Sequence, residues 1–432
     1  MTKSLGFWRT WALVVGTMIG SGVFLLPAVL APYGSFSLIG WIVAAIGTLF
    51  IALSLGALAR RIPKIGGPYA YTRAAFGDLP GFLIAWGYWI AIWSASAAIA
   101  VAFSGYMSVF IPALAGVPAA GAMGAIAVIW LFTGINVAGV RTAGIVQLAT
   151  TLLKLLPLFA IAAAGIAAGD VTAIPAANPD DEPLPLLVAG VAMLTMWAYV
   201  GMEAATIPAE DVVAPERTIP RALVAGTLTA TAVYILATVG VMALVPTTEL
   251  AASSSPFADA ASAVVGAWGA KVIGVGAVVS IVGALNSNIL LGGQMPRAAA
   301  LDGLFLHRFE RLNANGAPAF ALVVSACLSS ALIVMNYTKG LVAAFELLIL
   351  LSTLTTLVPY AASAASDLLL QRREGTTRWQ PIAVAVLALV FSIFAIIGSG
   401  IEVVGYGLIL LAAGLPVYFW VTRKGQRDEL VE

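Results

Sequence analysis

The chain has 432 residues, of which 61% are apolar and only 9% charged, and its mean hydropathy is +1.02. That balance excludes a soluble globular enzyme and a disordered chain. With 21 Lys+Arg against 20 Asp+Glu, the net charge of +1 provides no basic field for nucleic acid. One cysteine (Cys327) and one histidine (His307) exclude an internal disulfide, a cysteine metal cluster and HExxH zinc chemistry. No metal or cofactor is expected. What remains is an integral membrane protein with the lipid bilayer as its solvent.

A bilayer core of roughly 30 Å takes about 20 apolar residues per helix. Twelve such runs are predicted, near 10–31, 36–59, 82–111, 119–139, 144–168, 185–208, 221–246, 262–294, 317–336, 340–369, 380–398 and 401–422. No β-barrel alternation interrupts them, so the chain reads as all-α. The first run is too long for a signal-peptide core, and Pro27 leads straight into the second, so it is expected to be retained. Eighteen of the 21 basic residues, from Lys3 and Arg9 through Arg60, Arg61 and Arg73 to Arg423 and Arg427, share one side if the N-terminus is cytoplasmic. Lys271 and Lys339 face the other way with the acidic stretch Asp170, Asp180, Asp181 and Glu182. By the positive-inside rule both termini are expected in the cytoplasm, and the chain in the cytoplasmic (inner) membrane.

Spans 1 and 6 carry matched interruptions. Span 1 reads Gly20-Ser21-Gly22-Val23-Phe24-Leu25-Leu26-Pro27, and span 6 reads Gly201-Met202-Glu203-Ala204-Ala205-Thr206-Ile207-Pro208. In each a glycine precedes a proline by seven residues, after an apolar helical half. Glycine costs a helix about 1 kcal/mol relative to alanine, so these are places to unwind. Backbone groups freed at membrane depth are tolerated only where they line a cavity. The amides at a half-helix N-terminus suit a carboxylate and freed carbonyls suit an ammonium, and an α-amino acid carries both. Gly-Ser-Gly alone fits close helix packing as well; the match in span 6 favours a break.

These blocks, with Gly66-Gly67-Pro68-Tyr69-Ala70-Tyr71, Glu210-Asp211, Pro215-Glu216-Arg217, Arg297-Ala298-Ala299-Ala300, Asp302-Gly303-Leu304-Phe305 and Leu357-Val358-Pro359-Tyr360, resemble the amino acid–polyamine–organocation (APC) superfamily. The likeness runs in order over most of the chain, toward its bacterial arginine–agmatine and putrescine–ornithine exchangers. It implies one transporter domain over 1–432 with twelve transmembrane helices. A 5+5 inverted repeat (LeuT-like) would have its first copy near 10–168 and its second near 185–369. Helices 1 and 6 would be broken, and two further helices would follow over 380–422. By matched position, the amides of Ser21, Gly22 and Val23 would hold a substrate carboxylate. Carbonyls of Ile19, Trp197, Ala198 and Val200 would hold its amino group. Trp197 would close over the substrate, with Tyr88 and Tyr360 in the gating layers. Ile92, Ser96, Asn288 and Ser352 would surround its side chain. The arginine exchanger has Cys, Asn and Trp at the positions of Ile92, Ser96 and Asn288, so arginine specificity does not carry over, and the change points toward a smaller or less cationic amino acid.

Ionisable groups inside spans are functional candidates by default. Glu203 follows the span 6 break, where the arginine exchanger has a proton-sensing Glu; a static hydrogen bond in the loop is the alternative. Lys154 lies about ten residues into span 5, roughly 15 Å deep at 1.5 Å per residue. Its context resembles a proton-dependent superfamily member in which a lysine replaces a sodium ion, while snorkelling or a static ion pair would explain it without coupling. Glu346 and Glu402 sit near span ends and His307 in a cytoplasmic loop. The leading expectation is therefore a secondary transporter of amino acids, by proton-coupled symport or exchange, whose partners are a small-molecule substrate and protons. An antiporter of polyamines or cationic amino acids is the alternative, weakened by the lack of further carboxylates beside Glu203. Neither GxSxG nor a P-loop is present to support an enzyme; a channel would be told apart by non-saturable flux. The resemblance leaves room for a homodimer.

Overall fold

Apolar runs in lipid must bond their backbone polar groups internally, so they become helices. The computed structural model describes residues 6–20, 22–62, 67–139, 144–179, 181–202 and 212–429, with backbone alone for 144–154, 215–216 and 422–429. The long helices are α1 (Phe7–Met18), α2 (Gly22–Leu30), α3 (Phe36–Arg61), α4 (Pro68–Phe76), α5 (Asp78–Met107), α6 (Pro118–Val137), α7 (Gly144–Ala168) and α8 (Leu184–Met196). They continue as α9 (Pro215–Leu244), α10 (Pro256–Leu301), α11 (Ala319–Asn336), α12 (Leu341–Arg373), α13 (Trp379–Gly398), α14 (Gly400–Ala412) and α15 (Gly414–Glu429).

Among the described residues, nine helices are long and apolar enough to cross a membrane, and the bent pair α1–α2 makes a tenth candidate. Two shorter apolar helices, Leu155–Ala168 and Leu184–Tyr199, lie where spans 5 and 6 are expected. The chain is thus an all-helical, multi-pass membrane protein. The eighth span begins earlier than expected, at Pro256, and bends at Gly266, whose φ of 73° no helix contains. The run stays largely apolar through that bend, which is why composition alone does not mark it.

α5 runs through the middle of the bundle, and 89% of its most apolar window is buried inside the protein. It packs on α10 and α12, while α3 packs on α8 and α9. The last span, Gly400–Val421, has only 17% of its window buried, so its side chains face outward, as those of a lipid-facing helix must. Between α7 and α9, a Cβ on Gly165 or Gly240 would strike the backbone of the other helix, so glycine sets how closely the two helices approach.

Candidate functional site

The interruption expected in span 1 is present as a bend, and the helix expected to open span 6 ends before Gly201, with residues 203–211 outside the described residues. α1 stops at Met18, and Ile19 (φ −78°, ψ 78°) turns the chain so that the Gly20 amide bonds the Met18 carbonyl at 2.8 Å, an inverse γ-turn. α2 restarts at Gly22, and the α1–α2 axes differ by 47°. On the other side α8 ends at Met196 and tightens into a single 3₁₀ turn, Trp197–Tyr199. Val200 is extended (ψ 136°) and Gly201 sits at φ 100°, a left-handed conformation that glycine adopts without Cβ strain.

The bend in span 1 and the turn that ends α8 touch. A Cβ built on Gly22 would land on the indole Nε1 and Cδ1 of Trp197, so the ring lies directly against the first residue of α2. The Thr17 hydroxyl reaches the Gly201 carbonyl at 3.0 Å. Ile19, Val23, Trp197 and Ala198 are all buried. Ser21 and Glu203 lie outside the described residues.

Aromatic residues hold the span 6 turn from behind. Trp41, Tyr199 and Tyr234 are fully buried, with the Trp41 and Tyr234 rings 4.9 Å apart and the Tyr199 and Tyr234 rings 5.6 Å apart. Each polar tip is bonded: Tyr234 Oη donates to the Ala198 carbonyl at 2.9 Å, and Trp41 Nε1 to Thr238 at 3.2 Å. Ala198, expected to offer its carbonyl to a substrate, therefore already accepts one hydrogen bond, with a second lone pair remaining. Tyr106 Oη donates to the Phe24 carbonyl at 2.7 Å and pins α2 to α5.

Three of the four expected side-chain contacts form one cluster. Asn288 Nδ2 donates to the Ile92 carbonyl at 2.7 Å and to Ser96 Oγ at 2.9 Å, joining α10 to α5. With both amide hydrogens engaged, Asn288 has only its carbonyl oxygen, an acceptor, left to offer. Ser352 on α12 donates to the Ala91 carbonyl at 2.8 Å, one residue from Ile92. Tyr360 is buried on α12 and Tyr88 half-buried on α5. Lys154 falls on α7 three residues before Pro157; its side chain lies outside the described residues. His307 is exposed, with its Nδ1 2.8 Å from the Glu310 carboxylate.

A further charge inside the expected tenth span, Asp367, is 1% exposed and pairs with Arg61 at 2.5 Å. Ser54 donates to the same carboxylate at 3.1 Å. The two ions stand 306 positions apart, a pairing no local pattern shows, although an acid within a span was itself a visible signal. At the same end of the bundle, Tyr69 on α4 donates to Asp302 at 2.8 Å and Arg73 bonds Asp78 at 2.6 Å. Burial, reinforced by the Asp302 carboxylate, drives the Tyr69 hydroxyl far above its ordinary range, so it stays a donor. The hydrogen bond to Asp78 likewise raises Arg73.

A bundle of apolar helices, with the bend between α1 and α2 packed against a buried indole at the end of α8, defines a multi-pass membrane protein. The chain belongs to the amino acid permease family of the APC superfamily: the family model matches residues 5–415. It is 31% identical to a putative arginine/ornithine antiporter of Bacillus subtilis (strain 168), over 99% of each chain. It is 32% identical to an arginine/ornithine antiporter of Pseudomonas aeruginosa, covering 94% of this chain and 88% of the relative. A cadaverine/lysine antiporter of Escherichia coli (strain K12) is 32% identical over 99% of this chain and 96% of its own. These relatives are transporters, not enzymes, and this chain is a membrane transporter.

Proposed function

We propose that this protein is an antiporter exchanging a cationic amino acid for a related amino acid or amine across the cytoplasmic membrane. One observation carries it: relatives named for exchange of arginine, ornithine, lysine and cadaverine match the chain almost end to end. Antiport therefore takes precedence over proton-coupled symport, and a cationic substrate over a smaller neutral one. The scarcity of carboxylates in the pocket stretches is no obstacle, because carbonyl oxygens and aromatic faces also receive cations. The Asn288 carbonyl beside Ile92 and Ser96 is such an acceptor.

In this reading all twelve expected spans cross the membrane, as two inverted five-span repeats followed by two helices, within one domain. The Ser21, Gly22 and Val23 amides take the α-carboxylate, and the Ile19, Trp197, Ala198 and Val200 carbonyls the α-ammonium. Ile92, Ser96, Asn288 and Ser352 meet the side chain. Trp197, Tyr88 and Tyr360 gate the path. Glu203 and Lys154 are the groups through which protons act on the cycle, so Glu203→Gln or Lys154→Ala flattens the dependence of exchange on pH.

The test is uptake of labelled arginine, lysine and ornithine into proteoliposomes loaded with arginine, ornithine, lysine, cadaverine or putrescine, or left empty. Internal substrate is expected to stimulate uptake tenfold or more. Equal uptake into loaded and empty vesicles, driven instead by a pH gradient, would restore symport.

A further inference from the structure

Where α5, α6, α11 and α12 meet, at the end of the bundle away from Arg61 and Asp367, an apolar groove of about 350 Å³ opens, its mouth included. Val101 and Ile333, both buried, lie at its base, and Ala122, Leu341 and Ala344 line its sides. Of the lining residues only Tyr337 has a polar side chain, so the charged ends of an amino acid would find no partners inside. A hollow so apolar does not hold water; in a bilayer it is open to the acyl chains around it. The connections that form its mouth also carry exposed apolar residues, Ile111 and Val117 on one and Val334 and Met335 on the other, as a surface in contact with lipid does.

The mouth carries a charge opposite in sign to its surroundings. Lys339 is exposed in the 3₁₀ turn Tyr337–Lys339, between the lining residues Tyr337 and Gly340. No carboxylate among the described residues pairs with it. The loops expected at this end hold Asp170, Asp181, Glu182 and Glu249, which repel an anion. Lys271, the other basic residue expected here, lies within α10 and outside the groove. The Lys339 stem can rest on the apolar mouth while its ammonium stays at the water boundary. The Tyr337 hydroxyl is a second donor at the same level. A ligand that satisfies both the groove and its rim has a long apolar chain joined to an anionic phosphate. We infer that the groove binds an anionic phospholipid, with an acyl chain between the four helices and the phosphate on Lys339 and Tyr337. The chain then lies against the start of α12, the helix that carries Ser352 and Tyr360. Nothing in this site depends on which substrate the protein carries.

The test places the purified full-length protein in phosphatidylcholine nanodiscs with a trace of phosphatidylglycerol or phosphatidylcholine bearing a photoreactive diazirine in the acyl chain. Crosslinked peptides are mapped by mass spectrometry after illumination. Labelling of 101–122 and 333–344 is expected to be about fivefold higher with the phosphatidylglycerol probe, the gain that one lysine near an anionic lipid supplies. The outward-facing span Gly400–Val421 should take up both probes equally. Lys339→Gln should bring phosphatidylglycerol labelling of the groove down to the phosphatidylcholine level, and Lys339→Arg should keep it. Ala115→Phe, which puts a ring into the mouth, should lower labelling of 333–344 by both probes. Lys339 and Ala115 are exposed, so these variants keep their fold, read from unchanged labelling of Gly400–Val421. Equal labelling of the groove by the two probes, or a phosphatidylglycerol excess that survives Lys339→Gln, would overturn the proposal.

Discussion

Gly22 has no side chain, and Trp197 occupies the space that one would take. The indole is 7% exposed, so it has little freedom to retreat. Gly22→Ala places a methyl group inside the ring, an overpacking that costs about 1–3 kcal/mol, or one to two factors of ten in an equilibrium. Exchange in proteoliposomes is expected to fall about tenfold or more. In a Trp197→Ala background, where the ring is gone, the same substitution should add almost nothing. Equal losses in both backgrounds would mean that Gly22 matters for its backbone and not for the seat it gives Trp197. The position of this break is legible in the sequence, because Gly20-Ser21-Gly22 followed by Pro27 has a direct local cost. The meeting of Gly22 with Trp197, and of Thr17 with Gly201, is not legible: each joins residues from different breaks, and only packing decides which pair.

Helix ends carry the next level of organisation. At the end of α3, Arg61 reaches the carboxylate of Asp367 near the end of α12, with Ser54 as a second donor and Glu374 at 3.5 Å from the guanidinium. The two partners differ in burial: Asp367 is 1% exposed and Arg61 24%. Removing one member of a buried pair is costly because the other is left charged and unpaired. The sides of this pair are therefore unequal. Arg61→Met strands a buried carboxylate and is expected to cost about 3–5 kcal/mol, whereas Asp367→Asn leaves an arginine able to turn to water and Glu374. Thermal melts of the purified variants should show Arg61→Met much the less stable, and Arg61→Met/Asp367→Leu should recover most of the loss. Equal destabilisation by the two single changes would contradict this account. Helix existence along the chain was readable from hydropathy, and α3, α6, α7 and α13 end within two residues of the expected bounds. What connects the helices was not readable, since Asn288 with Ser96 and Arg61 with Asp367 lie 192 and 306 positions apart.

Across the whole molecule a near-zero net charge hides a strong polarity. Basic residues cluster at one end of the bundle, where Arg61, Arg73 and Arg373 engage Asp367, Asp78 and the Ala75 carbonyl. At the other end the loop after α7 is acidic. Thr172 donates to Asp170 through both its amide and its hydroxyl and holds that carboxyl below its ordinary range. The Gly34 and Ala176 backbones pair there, tying the loop after α2 to the loop before α8. Translocating a loop rich in arginine is disfavoured, so the basic end is expected in the cytoplasm. In a Cys327→Ser background, a single cysteine is placed at Glu182 or at Thr377, both exposed in loops between helices. A membrane-impermeant thiol reagent applied to intact cells is expected to label Glu182→Cys and to leave Thr377→Cys unlabelled until the membrane is permeabilised. The reverse pattern would invert the topology, and with it the side from which the acidic loop meets a cationic substrate. Under the expected pattern the acidic end faces the medium and raises the local concentration of a cation before it reaches the breaks. Steering of this kind falls with ionic strength as the Debye length shrinks. Raising external salt from about 0.05 M to about 0.5 M should therefore increase the external KM for lysine and leave maximal exchange unchanged; a salt-independent KM would mean that the acidic loop plays no part in capture.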